Sequence, residues 1–268
     1  MPFVDHLSLG VADLAVSGRF YDMALGALGA RRLYRDGELI GYGSGSTNGS
    51  FSISRPAGGA PRPQPGAHVC FAAGTREEVE RFHEAALAGG GTDNGAPGYR
   101  LQYGEDYFGA FVLDPDGNHL GVVARIRPEA ASMPRARIVD HLSIGNGDLA
   151  ESGRFYDMLL ASIDVRRLRT KPDYLMYGRD LTDTTFILAE PDEPVETVPP
   201  QPGFHACFSA PTREAVAQFH RAGLIAGGRD NGAPGYRPNY GIDYFGAFLV
   251  DPWGNHLGAV ARVPPEAI

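Results

Sequence analysis

The chain has two cysteines in 268 residues, no long apolar run and fewer positive than negative side chains. Cys70 and Cys207 stand at equivalent places in two similar halves, so they do not read as a disulfide framework. No apolar stretch reaches the roughly 18 residues of a membrane-span candidate. The start, MPFVDHLSLG, lacks a basic segment followed by an apolar one, so it does not read as a secretory signal, and the cytoplasm is the expected location. Lys and Arg number 24 against 32 Asp and Glu, a net charge of −8. That balance argues against nucleic acid or an anionic membrane surface as a partner.

What the chain has is the same text twice. Its eight histidines form four pairs: His6/His141, His68/His205, His83/His220 and His119/His256. The first pair is 135 residues apart and the other three 137. Long runs repeat with them: DHLS from Asp5 and Asp140, SGRFYDM from Ser17 and Ser152, DNGAPGYR from Asp93 and Asp230, DYFGAF from Asp106 and Asp243. The two-residue slip falls in the proline-rich stretch between Pro191 and His205, where a surface loop would tolerate it. The stretch Arg127–Arg137 is rich in Pro, Ala and Arg and has no apolar period. The sequence therefore divides into a domain at 1–127, a linker at 128–137 and a domain at 138–268.

Each half reads as two smaller modules. Val4–Gly10 alternates as a strand does. Asp13 offers an N-cap to a helix whose apolar stripe is Leu14, Phe20, Ala24 and Leu28. Strand candidates follow at Arg32–Tyr34, Leu39–Tyr42 and Phe51–Ser54. The second module opens with a strand at His68–Ala72. Thr75 and Glu78 make a capping box, Val79, Phe82 and Ala86 share a face, and Gly89–Gly91 ends the helix. His83 and His220 follow Phe82 and Phe219 and read as solvent-facing, with no role. Asn94–Gly98 reads as a loop before the strand Tyr107–Leu113. Asp114–Asn118 is a turn from which His119–Ala124 returns antiparallel. The order is β-α-β-β-β, twice per repeat.

This pattern resembles the vicinal oxygen chelate superfamily, which includes glyoxalase I, extradiol dioxygenases, fosfomycin-resistance enzymes and bleomycin-binding proteins. The pieces that carry the resemblance are DHLSLGVADLAVSGRFYD, the strand HVCF, and DPDGNHLG, and each repeat has them or close variants. NGAPGYR and the Tyr-rich segment after it look like one glyoxalase-like branch. The resemblance implies an α+β fold of two tandem glyoxalase-like domains. Each is built from two βαβββ modules, with a curved sheet around a pocket. It also implies metal ligands at His6 and His68, repeated as His141 and His205, and a Glu three residues after Asn118. That position is Gly121, and Gly258 in the second repeat, so the carboxylate is missing from both. The cofactor expected on this ground is a divalent ion (Fe, Mn, Ni or Zn), or none.

The candidate residues each have two readings. His6 and His68 are metal ligands or hydrogen-bonded residues lining a pocket. His119 and His256 share a strand face with the glycines and are substitute ligands, or plain hairpin-end histidines. They stand about 6–7 Å from the vacated position along the strand. Cys70 shares a face with His68, as a Zn ligand, a nucleophile or a small buried hydrophobe. Tyr99, Arg100, Tyr103 and Tyr107, with Tyr236, Arg237, Tyr240 and Tyr244, suit an aromatic or anionic small molecule, or serve packing and turn geometry.

Three functions compete. One is a small-molecule-binding protein with a metal site lacking its usual Glu. The second is a metal-dependent lyase, isomerase or dioxygenase using these histidines with a substitute third ligand. The third is an interaction scaffold with a filled interior. A tandem repeat supplies its own sheet partner, so a monomer or a homodimer is expected, with a small molecule as the partner.

Overall fold

The computed structural model describes residues 3–45, 51–57, 61–132, 138–181, 185–191 and 198–265. Part of the expected linker (133–137) and part of the proline-rich stretch (192–197) lie outside the described residues. The first repeat runs β1 (Val4–Gly10), α1 (Leu14–Gly26), β2 (Arg31–Asp36), β3 (Leu39–Gly43), β4 (Phe51–Ser54), β5 (His68–Ala73), α2 (Arg76–Ala88), β6 (Thr92–Tyr99), β7 (Tyr107–Leu113) and β8 (His119–Arg125). The second runs β9 (Val139–Gly145), α3 (Leu149–Ala161), β10 (Arg166–Thr170), β11 (Tyr174–Gly178), β12 (Thr185–Ala189), β13 (His205–Ser209), α4 (Arg213–Ile225), β14 (Arg229–Tyr236), β15 (Tyr244–Val250) and β16 (His256–Arg262). The expected α+β architecture of four βαβββ modules is therefore present. The strands form two eight-stranded sheets, in the orders β14-β15-β16-β13-β1-β4-β3-β2 and β10-β11-β12-β9-β5-β8-β7-β6. Among the described residues no helix is long and apolar enough to cross a membrane.

Local chemistry starts the helices where the sequence places them. The Asp13 carboxylate accepts from Ala15 N and Val16 N at 2.7 and 3.1 Å. The Thr75 hydroxyl accepts from Glu78 N at 3.1 Å, and the Glu78 carboxylate reaches back to Gly74 N at 2.7 Å. One element corrects the sequence reading. Asn94–Gly98 is not a loop but the middle of β6. It pairs with β7 through register shifts at Asp93/Gly95 and Gly95/Gly98. β6 ends its sheet, so Pro97 needs no ladder partner on its outer side, and Gly95 takes the φ of +147° that a side chain would resist.

A second correction concerns His83 and His220, which do not face solvent. Their side chains are about 12% and 11% exposed, and each Nε2 sits 2.8 Å from a carboxylate of the next strand, Asp93 or Asp230. They tie α2 to β6 and α4 to β14.

The chain folds as two compact units. The first-repeat unit comprises Ser8–Leu142 and Gln201–Gly203. The second-repeat unit comprises Met1–Leu7, Ser143–Pro200 and Phe204–Ile268. Each unit thus holds the opening strand residues of the other repeat.

In the first-repeat unit, α1 packs on α2. Tyr21, Phe51, Phe71 and Phe82 stack in sequence through ring-centroid distances of 5.2, 5.2 and 5.8 Å. The buried Tyr21 hydroxyl donates to Asp114 at 2.7 Å, and the other Asp114 oxygen accepts from Asp116 N and Asn118 N, which fixes the expected turn. The Gln201 side-chain amide donates to Asn118 Oδ1 at 2.6 Å. Gly10 is required nearby, because any Cβ there would collide with the Pro202 carbonyl. The second-repeat unit repeats this core with Tyr156, Phe186, Phe208 and Phe219, and with Tyr156 donating to Asp251 at 2.7 Å. Phe3 stacks on Phe208 at 5.0 Å.

Candidate metal centres

Strand alternation puts His68 and Cys70 on one face of β5, and His205 and Cys207 on one face of β13. The third member of each group comes from the exchanged opening strand. Ala72 N donates to Ile138 O at 2.8 Å, which brings the start of β9 alongside β5 and delivers His141. Ser209 N donates to Phe3 O at 2.8 Å, which delivers His6 to β13. The result is two triads, His68–Cys70–His141 and His6–His205–Cys207. Within each, the candidate ligand atoms all lie within 4.8 Å of one another. The expected pairing of His6 with His68 and of His141 with His205 does not form. His6 sits with His205, ring centroids 5.7 Å apart, and His68 with His141 at 5.5 Å.

One histidine of each triad is oriented by a carboxylate. His141 Nδ1 lies 2.7 Å from Asp140 Oδ1, and His6 Nδ1 lies 2.7 Å from Asp5 Oδ1. Arg125 Nη2 clamps Asp140 at 2.9 Å, and Arg262 Nη2 clamps Asp5 at 2.9 Å. Each guanidinium also stacks on a tyrosine ring, Arg125 on Tyr107 at 4.8 Å and Arg262 on Tyr244 at 4.7 Å. Burial opposes ionisation of Asp140, but its bonds to His141 and Arg125 outweigh that and hold its pKa far below the usual range. The same balance, with His6 and Arg262 as partners, leaves Asp5 at about 2. An ionised carboxylate only accepts, so Nδ1 of His6 and His141 carries the hydrogen and Nε2 is the remaining donor position.

The other histidines are neutral. Burial, with His141 and His119 nearby, pushes His68 well below its ordinary pKa. Burial, with His6 and His256 nearby, pushes His205 down to about 3. For His141 burial works against the charged form, but Cys70 and Asp140 outweigh it and hold the imidazole up to about 10. Burial pushes the Cys207 thiol up, and pushes the Tyr107 and Tyr244 phenols up with added effect from Cys70 and Cys207.

The missing carboxylate positions lie inside these sites. Cys70 is the register partner of Gly121, and Cys207 of Gly258. A Cβ on Gly121 would come within 2.8 Å of the His68 ring and 3.1 Å of Cys70 Sγ. A Cβ on Gly258 would meet Phe248 at 3.0 Å, Cys207 Sγ at 3.1 Å and the His205 ring at 3.2 Å.

The other expected residues divide by position. His119 is exposed at the start of β8, outside its triad. His256 stands in register beside His205 but is exposed, and its Nδ1 lies 3.3 Å from Asn231 Nδ2. Tyr107 and Tyr244 are buried beside the triads, their hydroxyls 3.8 and 3.6 Å from the cysteine sulfurs. Tyr103 and Tyr240 are exposed and lie 5.1 and 5.3 Å from those rings. Tyr99 and Tyr236 accept from Arg76 and Arg213 and so serve the edge strands. Arg100 and Arg237 each donate to a carbonyl, of Ala96 and Ala233 respectively, at 2.6 Å. Their guanidiniums cover Phe111 and Phe248 at 5.6 and 5.7 Å. Sequence reasoning missed Asp5, Asp140, Arg125, Arg262, Phe111 and Phe248. The Asp-His dipeptide opening each repeat was the available signal for the aspartates.

The comparisons agree with this fold. Residues 3–122 match the Glyoxalase/Bleomycin resistance protein/Dioxygenase superfamily. A glyoxalase/bleomycin resistance protein from Albidiferax ferrireducens T118 is 36% identical over 44% of this chain and 93% of its own, with a TM-score of 0.39. Glyoxalase I from Zea mays is 22% identical over 98% of this chain and 93% of its own, with a TM-score of 0.72. A putative dioxygenase from Bacillus subtilis is 14% identical over 98% of this chain and 86% of its own, with a TM-score of 0.65. Comparison with curated protein sequences gives no significant match. The chain belongs to the glyoxalase/bleomycin resistance protein/dioxygenase superfamily.

Proposed function

We propose that the chain is a metal-dependent member of this superfamily, a lyase, isomerase or dioxygenase acting on a small organic molecule, as a monomer or homodimer. The observation that supports it is the aspartate on Nδ1 of His6 and of His141, itself clamped by arginine, twice in one chain. Carboxylates so placed orient metal-binding imidazoles and raise their basicity.

A bound divalent ion would supply Lewis acidity toward substrate oxygens. The protein's own residues do the rest. His68 with His141, and His6 with His205, would hold the ion. Asp140 and Asp5 hold the Nδ1 hydrogen, which leaves Nε2 as the position that would meet an ion. Phe111 and Phe248 stand 5.8 and 5.7 Å from His68 and His205 and wall the sites with apolar rings, each covered on its other contact by an arginine.

Elemental mass spectrometry of the full chain, purified without chelator and supplemented with Fe(II), Mn(II), Ni(II) or Zn(II), tests the reading. One ion per triad is expected, with His141→Ala and His6→Ala each removing one. No bound ion under any condition overturns it. In that case the second reading, a metal-free binder of small anionic or aromatic molecules, would be favoured by the glycines at 121 and 258.

A further inference from the structure

We infer that Cys70 and Cys207 are the third protein ligands of the two centres, which makes each a His2Cys site selective for zinc-like ions over manganese or magnesium. The inference rests on the metal reading above and adds the donor that the histidines lack.

Three observations meet at the sulfurs. Each Sγ lies within 4.8 Å of both histidine donor atoms of its triad, and the two triads are built from equivalent residues. Each cysteine is fully buried and unpaired, so its sulfur is held in place and is not used in a disulfide. The position facing each sulfur in the strand register is glycine, and a Cβ there would press on the sulfur at 3.1 Å. Glycine at 121 and 258 thus leaves each sulfur as the donor on that side of its site.

Buried cysteine alone is usually a small hydrophobe. Here the sulfur also shares its strand face with one imidazole and lies within 4.8 Å of the ligand atom of a second, whose Nδ1 is engaged by aspartate. Two imidazoles and one thiolate would supply three protein donors, the number a catalytic zinc site uses while keeping a further position for substrate or water. Thiolate and imidazole suit Zn(II), Co(II), Ni(II) and copper, whereas Mg(II) and Mn(II) prefer oxygen donors. On binding, the S–H bond breaks, sulfur donates its electron pair to the ion, and the proton leaves to water. No oxidant or reductant is needed. The phenol hydroxyls of Tyr107 and Tyr244, at 3.8 and 3.6 Å from the sulfurs, can then donate to them.

The test is Co(II) titration of the full chain followed by ultraviolet and visible absorption. We expect a sulfur-to-cobalt charge-transfer band together with the strong visible bands of a four-coordinate ion. Saturation at one ion per triad and displacement by Zn(II) but not by Mn(II) should follow. Cys70→Ser and Cys207→Ser should each remove about half of the charge-transfer intensity, and the double variant all of it. The wild-type spectrum is informative by itself should a variant fail to fold. Cobalt bound without the charge-transfer band overturns the thiolate inference and leaves the metal reading standing. No bound cobalt and no bound zinc overturns both.

Discussion

Cys70 and Gly121 are register partners on the parallel strands β5 and β8, and the space a side chain at 121 would fill already holds the Cys70 sulfur and the His68 ring. In the second repeat the crowding at Gly258 is milder, with His205 at 3.2 Å rather than the 2.8 Å of His68. Gly121→Ala should therefore displace His68 and weaken metal binding at its triad. Gly258→Ala should weaken the other triad less. Zn(II) titration against a chromophoric chelator measures both. No effect of either would show that the glycines do not shape the sites, and equal losses would show that the difference in crowding carries no weight.

Asp140→Asn and Asp5→Asn leave a partner for Arg125 and Arg262 but remove the charge that fixes the histidine tautomer. Loss of such an outer-shell carboxylate typically costs about 10–100-fold in metal affinity. That range is expected for each variant, with the far-ultraviolet circular dichroism unchanged. An affinity within twofold of wild type would remove the aspartates from the metal site.

The Asp93 carboxyl sits below its ordinary pKa of 3.8, first because of its bond to His83 and second because it accepts from Gly95 N. For Asp230 the order is reversed, with the Gly232 backbone first and His220 second. A depressed carboxylate adds stability above pH 3.8, and that contribution fades as pH falls through the folded value. His83→Ala should raise the Asp93 midpoint toward 3.8, and by more than His220→Ala raises that of Asp230. Carboxyl carbon shifts followed by NMR from pH 6 to pH 2 give both midpoints. A smaller shift at Asp93 than at Asp230 would contradict this account.

Tyr21→Phe removes a buried donor 2.7 Å from Asp114 while keeping the ring stack. An acceptor stripped of its partner in a buried place costs about 1–3 kcal/mol. Urea unfolding should show a loss of that size, with a similar loss for Tyr156→Phe, whose hydroxyl meets Asp251. A change under about 0.5 kcal/mol in both would mean water replaces the phenol without cost.

The module order was legible because alternation, caps and the Asp114–Asn118 turn are local, and each behaves in the structure as its residues require. β6 was not, because Asn, Gly and Pro read as loop residues and only their place at a sheet edge lets them pair. The candidate ligands His6, His68, His141 and His205 stood out through repetition. Their grouping did not, since adjacency in sequence favours partners within one repeat, and the exchange of opening strands is a long-range property. Cys70 with His68 was visible from strand period alone. The aspartates beside His6 and His141 escaped notice because neighbours along a strand normally point apart, and here the imidazole turns back to meet its own neighbour.

The exchange of opening strands also sets an order of events during synthesis. The bond between Asp5 and Arg262 spans 257 residues, and that between Arg125 and Asp140 spans 15. The His68–Cys70–His141 group can assemble as soon as β9 has left the ribosome. His6 emerges before β13 and β16 and must wait for both before its own group can close. Early contacts of short span form quickly, and those of long span are slow and exposed meanwhile. Two sites of nearly the same chemistry therefore differ in when they are born: the one that owns the chain's first histidine is completed second.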